Sequence, residues 1–515
     1  MTQADDQNQF AGRIEGGIDA IVVGSDAEAL AASAYLGGAG LKTLLLCDTV
    51  EIGGSIKAGE FPSGLAYTEG EHLLSVLDPA MIADLDLYRF GLKYAARRLD
   101  TVYFFKDDET LLLSGDIRQA AQPLEQDVAQ PLETFLKDLM EAAVLLRPVF
   151  EPVRNRSGFN EKQSSAFGSE VTGKLDLFSV ASIDDVLDEY FPDSAVKTAM
   201  LSEAAFRSGA APHEAFSFMG FVRQKAGEIS GLPGAVAYPQ GGALAVITAL
   251  RRAAQAAKVD IRAATPVSSI LIERDQVAGV ELENGGQLRA PLVIASGEAR
   301  HVFVDMIGPR NIDIEFQRLL AKPAPQMMTV QMKLALKGVA RDEQTKAHMR
   351  KRLVFAPPAD SLRRAFNDAR AGAIPDTFII EAIFPNALDE ESALENRHLL
   401  SVMAHPLPYE ADPSPERRQE IETAILKTIE AFAPEVCERI EEKTLLLPGA
   451  HAGSTKSKPA LLQQIAHGRR LASAGHVSGL YYCGEGAQIG FGLSGAAGRI
   501  AGKAALRDYK RGTVA

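Results

Sequence analysis

Gly24, Asp26 and Ala29 stand at the spacing of a phosphate-gripping loop, in the stretch Asp19-Ala20-Ile21-Val22-Val23-Gly24-Ser25-Asp26-Ala27-Glu28-Ala29. In such a loop a buried strand turns sharply into a helix, and free backbone N–H groups of the first helical turn hold a pyrophosphate. The first glycine of the G-x-G-x-x-G pattern is kept as Gly24. Asp26 takes the second place and Ala29 the third. A methyl at the third place is readily accepted at a helix–strand contact, but a carboxylate at the second obstructs the phosphates and repels them. One unit charge about 4 Å from another, at an effective dielectric of about 20, is repelled by roughly 4 kcal/mol, whereas a helix N-terminus returns only about 0.3–1 kcal/mol to an anion. The same carboxylate suits a second role, that of N-cap, in which its oxygen accepts from the N–H groups that would otherwise hold phosphate.

Two further positions bear on a nucleotide. Cys47 ends the next apolar run, Lys42-Thr43-Leu44-Leu45-Leu46-Cys47, where an acidic residue would bind a ribose hydroxyl. Asp48 follows it, but neighbours on a strand point to opposite faces, so Asp48 serves only where the strand end turns. Cys47 reads as a small core residue. His72 is the best placed polar candidate for a catalytic group, against the reading of a histidine bonded to backbone at a domain junction. The chain has no HExxH pair, GxSxG serine or Walker lysine loop, which disfavours hydrolase and kinase chemistry. Its three cysteines, Cys47, Cys437 and Cys483, are too scattered for a disulfide framework or a zinc site, so no metal is expected and a reducing, cytoplasmic setting fits.

The elements that must carry these residues follow from length and pattern. With 515 residues, 46% of them hydrophobic, the chain can bury a large core and divide into more than one domain. A formal charge of −13 argues against nucleic-acid binding. No run reaches the roughly 20 apolar residues that a transmembrane helix needs, which leaves peripheral membrane contact open, as it leaves oligomeric state. Residues 1–16 are polar and read as a disordered tail. Segment 17–87 begins strand, helix, strand, with Gly37-Gly38-Ala39-Gly40 closing the helix. Segment 88–222 shifts to amphipathic helices such as those at 131–140 and 182–191. Strand-and-turn grammar returns in 223–302, with a helix at 244–256, strands at 267–273 and 277–283, a turn at Asn284-Gly285-Gly286 and a buried strand at 292–295. A second mixed block, 303–474, carries strands at 328–336 and 377–384 and a helix at 416–432. Segment 475–515 closes with a strand, a glycine-rich turn and a helix at 495–509.

This order, with Gly24, Gly53-Gly54, Gly70, His72, Tyr238-Pro239-Gln240-Gly241-Gly242, Cys483-Gly484-Glu485 and Gly490, Gly492, Gly495 and Gly498, resembles the phytoene desaturase-like branch of the FAD-dependent amine oxidase and carotenoid desaturase superfamily. The resemblance implies an α/β fold: a discontinuous, Rossmann-like FAD-binding domain in three segments (17–87, 223–302, 475–515) with an inserted α+β substrate domain (88–222, 303–474). It implies that Gly24, Ser25, Asp26 and Ala29 face the FAD pyrophosphate, with Cys47 and Asp48 at the ribose. Gly53 and Gly54 would pass close to the cofactor and Val267 would meet the adenine. Gly484, Glu485, Gly492 and Gly495 would pack near the flavin, Glu485 accepting from ribityl hydroxyls.

The function implied is hydride transfer between FAD and an apolar small molecule, with the cofactor carrying the hard chemistry. Asp26 and Cys47 work against the nucleotide. Two other readings therefore stand beside the first: a flavin-free descendant serving as a binding or assembly module, and a redox-neutral isomerase using reduced flavin.

Overall fold

The structure is a computed structural model that describes residues 17–106, 109–122, 124–150, 177–208, 210–312, 314–320, 327–338, 347–389, 396–410, 413–447, 477–484, 487 and 493–512. The tail at 1–16, and with it Glu485, Gly490 and Gly492, lies outside the described residues.

In chain order the principal strands begin with β1 (Ala20–Val23), β2 (Thr43–Leu46), β3 (Thr101–Phe104) and β4 (Thr110–Leu113). A middle group comprises β5 (Asp260–Arg262), β6 (Val267–Glu273), β7 (Gln276–Leu282), β8 (Gln287–Arg289) and β9 (Leu292–Ala295). Then come β10 (Met327–Lys337), β11 (Arg352–Phe355), β12 (Ile379–Ile383), β13 (Arg397–Pro408), β14 (Ile440–Leu446) and β15 (Leu480–Tyr482). The main helices are α1 (Ala27–Gly38), α2 (Gln126–Phe150), α3 (Ile183–Tyr190), α4 (Ala195–Ser208), α5 (Met219–Ala226), α6 (Ala243–Ala256), α7 (Ala359–Arg370), α8 (Pro415–Phe432) and α9 (Ala496–Lys510).

Five of these strands form a parallel sheet in the order β5-β2-β1-β9-β15. Its central strands β1, β2 and β9 are short apolar runs, almost wholly buried, with α1 packed against α6 and α9 and the β7 strand packed on β9. Helix α1 is rich in alanine, and α9 brings Gly498 and Gly502 against it, where a side chain would meet the Glu28 carbonyl or Tyr35 and Ala32. Small residues on both partners thus let the two helices pack backbone to backbone. The antiparallel ribbon β6-β7-β8 hangs beside this sheet, joined by the Asn284-Gly285-Gly286 turn.

Seven strands build the second sheet, in the order β14-β10-β13-β12-β11-β3-β4, antiparallel except for the parallel pair β11 and β3. One face packs on α8 through Met332, Leu334, Ile380, Val402, Ile421 and Ile425. The other face carries Tyr103, Val354, Ile379 and Met403 into an apolar cluster with α2 to α5 and α7. Helix α3 begins with a reciprocal capping box, Ser182 and Asp185 each bonding the other's backbone N–H. The α/β architecture expected from the sequence is thus present, and β1, β2, β5, β9 and β15 draw one sheet from distant stretches of chain.

Candidate functional site

In an open parallel sheet the ligand crevice lies at the carboxyl ends of the strands, where the order changes direction. Here that point falls between β1 and β9, since the chain leads from β1 to β2 on one side and from β9 to β15 on the other. The turn after β1 holds Gly24 and Ser25, and the turn after β9 holds Ser296 and Gly297. Two helix N-termini also converge there: α1 follows β1 and α9 follows β15.

Asp26 occupies this crevice. It is the N-cap of α1, with extended backbone, and its Oδ1 accepts from the Ala29 N–H at 2.9 Å. Its Oδ2 accepts from the Ser296 hydroxyl at 2.6 Å, so one carboxylate ties the end of β1 to the end of β9. Gly54 lies on its other side, where a side chain would come within 2.9 Å of the Asp26 Cβ. Glu28, two residues on, reaches the second helix N-terminus. Its Oε1 accepts from the Gly495 N–H at 2.8 Å and its Oε2 from the Gly498 N–H at 2.7 Å. Burial, with Asp26 and Asp78 adding repulsion, raises the Glu28 carboxyl to about 8 against the opposing pull of those two N–H groups.

The remaining expected positions are placed as follows. Ser25 accepts from the Gly53 N–H through its carbonyl at 2.7 Å, which closes the loop. Cys47 is fully buried and donates its thiol to the Gly24 carbonyl at 3.3 Å; burial, with Asp48 and Asp26 nearby, pushes that thiol up to about 12. Asp48 is exposed. Val267 is partly buried on β6, paired with Leu282.

The glycines expected near a ligand also serve the protein's own packing. A side chain at Gly24 would meet Ser296 at 2.8 Å, at Gly53 the Ile56 carbonyl, at Gly484 the Gly297 carbonyl, and at Gly495 the Met81 sulfur. Each of these glycines answers to the protein's own packing, and Gly54 and Gly495 also need their positive φ of 66° and 70°.

His72 lies against the seven-stranded sheet. Its ring bonds two side chains: Nδ1 pairs with the Ser401 hydroxyl at 3.0 Å and Nε2 with the Glu381 carboxylate at 2.9 Å. From there a buried polar chain crosses the seven-stranded sheet. Arg352 donates to Glu381 at 2.5 Å and to Glu203 at 2.7 Å, while Tyr103 and Gln224 also donate to Glu203. On the other side Lys333 donates to Ser401 at 2.7 Å, and burial drives its ammonium down to about 7. Lys333, Ser296 and Glu28 went unassigned in the sequence reading. A lysine inside the apolar run Met327–Leu336 was the available signal for the first.

The fold and the crevice define a class: a dinucleotide-type parallel sheet carrying an inserted antiparallel domain. The family model for FAD dependent oxidoreductases matches residues 153–504, and the chain belongs to that family. The matched region begins after the Gly24 loop. A curated rat protein, pyridine nucleotide-disulfide oxidoreductase domain-containing protein 2, is 24% identical over 545 residues, covering 96% of this chain and 94% of its own. Among solved structures, an oxidoreductase from Methanosarcina mazei superposes with TM-score 0.63 at 15% identity, covering 95% of this chain and all of that one. Cyclohexylamine oxidase from Brevibacterium oxydans does so with TM-score 0.60 at 17% identity, over 97% of this chain and 100% of its own.

The crevice fits a dinucleotide in its position at the strand ends and in its paired helix N-termini. Asp26 fits one only with its side chain turned away from Ala29 and Ser296. No helix among the described residues is long and apolar enough to cross a membrane.

Proposed function

We propose that this chain is an FAD-dependent oxidoreductase of the phytoene desaturase-like kind that takes a hydride from a small, largely apolar molecule. The observation that supports this reading is the crevice between β1 and β9, at the strand-end position where such folds bind nucleotides, in a chain of this family. A bound flavin supplies the two-electron acceptor. The Gly24–Ala29 loop, Gly53 and Gly54 would hold the nucleotide, with Val267 toward the adenine and Gly484 and Gly495 on the flavin side, together with Glu485 and Gly492. The division into FAD-binding segments 17–87, 223–302 and 475–515 around a substrate domain belongs to the same reading, supported by the three stretches that supply the parallel sheet. At the junction, His72 is a positioning residue with both ring nitrogens engaged. Lys333 is the better candidate to hold or release a proton near neutral pH.

The flavin-free reading has its own support, since Asp26 already satisfies the Ala29 N–H. Purified protein separates the two. A yellow preparation that releases FAD on denaturation, or a colourless one that gains thermal stability from added FAD, supports the oxidoreductase. A colourless protein indifferent to FAD refutes it.

A further inference from the structure

Two acidic side chains at the crevice, Asp26 and Glu28, stand where a nucleotide's phosphates would compete for donors. Asp26 takes one free N–H of α1 and bridges to Ser296, and Glu28 takes two from α9. Three of the donors that make such helix N-termini attractive to an anion are thereby spent internally. We propose that Asp26 is the resident anion of the nucleotide site, with Glu28 occupying two donors of α9, so that FAD enters only by displacing Asp26 from Ala29 and Ser296 and is held as a weak, exchangeable ligand. This rests on the oxidoreductase reading and adds how the cofactor is controlled.

The Asp26–Ser296 hydrogen bond is the working part. It spans the crevice between β1 and β9, and its partners are 270 residues apart, so it is formed by the fold and not by the local turn. With Asp26 in place, a phosphate meets both a blocked N–H and a like charge. Full repulsion at about 4 Å, at an effective dielectric of about 20, corresponds to about 1,000-fold in affinity, and water reaching the partly exposed loop brings this toward 100-fold. Glu28 lies two residues on, bonded to α9 instead of across the crevice, and its removal alone should matter less.

The test is FAD titration of the full chain, read by flavin fluorescence and by thermal shift. Asp26→Gly is expected to tighten FAD binding by about 100-fold or more. Asp26→Asn keeps the cap and the side-chain size, which protects folding, and should recover part of that gain. Ser296→Ala, which frees Asp26 to rotate, should give about tenfold. Wild type that already holds FAD tightly, with all three variants unchanged, overturns the resident-anion proposal and leaves the oxidoreductase reading standing. Folded wild type and variants that all ignore FAD overturn both.

Discussion

Replacing Glu28 by glutamine should make the protein slightly less stable than wild type at low pH and more stable at high pH. The carboxyl is raised from an ordinary 4.5 to about 8 by burial between α1 and α9. An acid whose folded value is raised binds its proton more tightly in the native state, so its contribution is fully present below about pH 4.5 and is lost as pH rises through about 8. The difference of 3.5 pH units, at 1.36 kcal/mol each, sets a ceiling of about 5 kcal/mol lost across that window. Glutamine cannot ionise, but its amide offers one acceptor oxygen where the carboxyl offers two to Gly495 and Gly498, which costs about 1 kcal/mol. Below pH 5 the variant should therefore be slightly less stable than wild type, and above pH 8 distinctly more stable, with the curves crossing between. Urea midpoints of both proteins at a series of pH values measure this, and the difference between them cancels the other titrating groups. A stability difference that stays constant from pH 5 to 9 would show that Glu28 carries no unusual proton and that the burial argument is wrong.

Two other substitutions probe the buried polar chain. Arg352→Met leaves Glu203 and Glu381 desolvated without their shared guanidinium and should cost about 3–5 kcal/mol by urea unfolding. Adding Glu203→Gln and Glu381→Gln to that variant should recover most of the loss. Lys333 is lowered from 10.5 to about 7, so the native state carries a buried ammonium below pH 7 and sheds that penalty as pH rises toward 10.5. Lys333→Met should accordingly melt higher than wild type at pH 6, with the advantage shrinking toward pH 10.

The legible part of the fold was the part written locally. An apolar run, a tight turn and an alanine-rich stretch suffice to announce β1, α1 and β2, and Ser182 with Asp185 announces the start of α3. Asp26 was legible too, as both an obstacle and a cap, because capping needs only residues three apart. Glu28 was not, since its partners lie 467 and 470 residues away and nothing near it hints at them. Ser296 was hidden for the same reason. His72 was visible as a polar residue, yet its bonds to Ser401 and Glu381 depend on how its own segment docks on the seven-stranded sheet. The spacing of the glycines carried the resemblance, while the packing that they also serve joins distant stretches of chain and could not be read from spacing.

The way the parallel sheet is assembled shapes how the protein is made. β1 emerges early from the ribosome, but its neighbour β9 follows some 270 residues later and the edge strand β15 only near the end. At about 5–20 residues per second of synthesis, the nascent β1 and β2 wait tens of seconds for partners, and β9 presents a bare hydrogen-bonding edge until the last strand arrives. Ribosomal stalling or premature termination before residue 480 thus releases an apolar half-sheet ready to pair with other chains, which makes the C-terminal stretch a guard against aggregation as well as a part of the crevice.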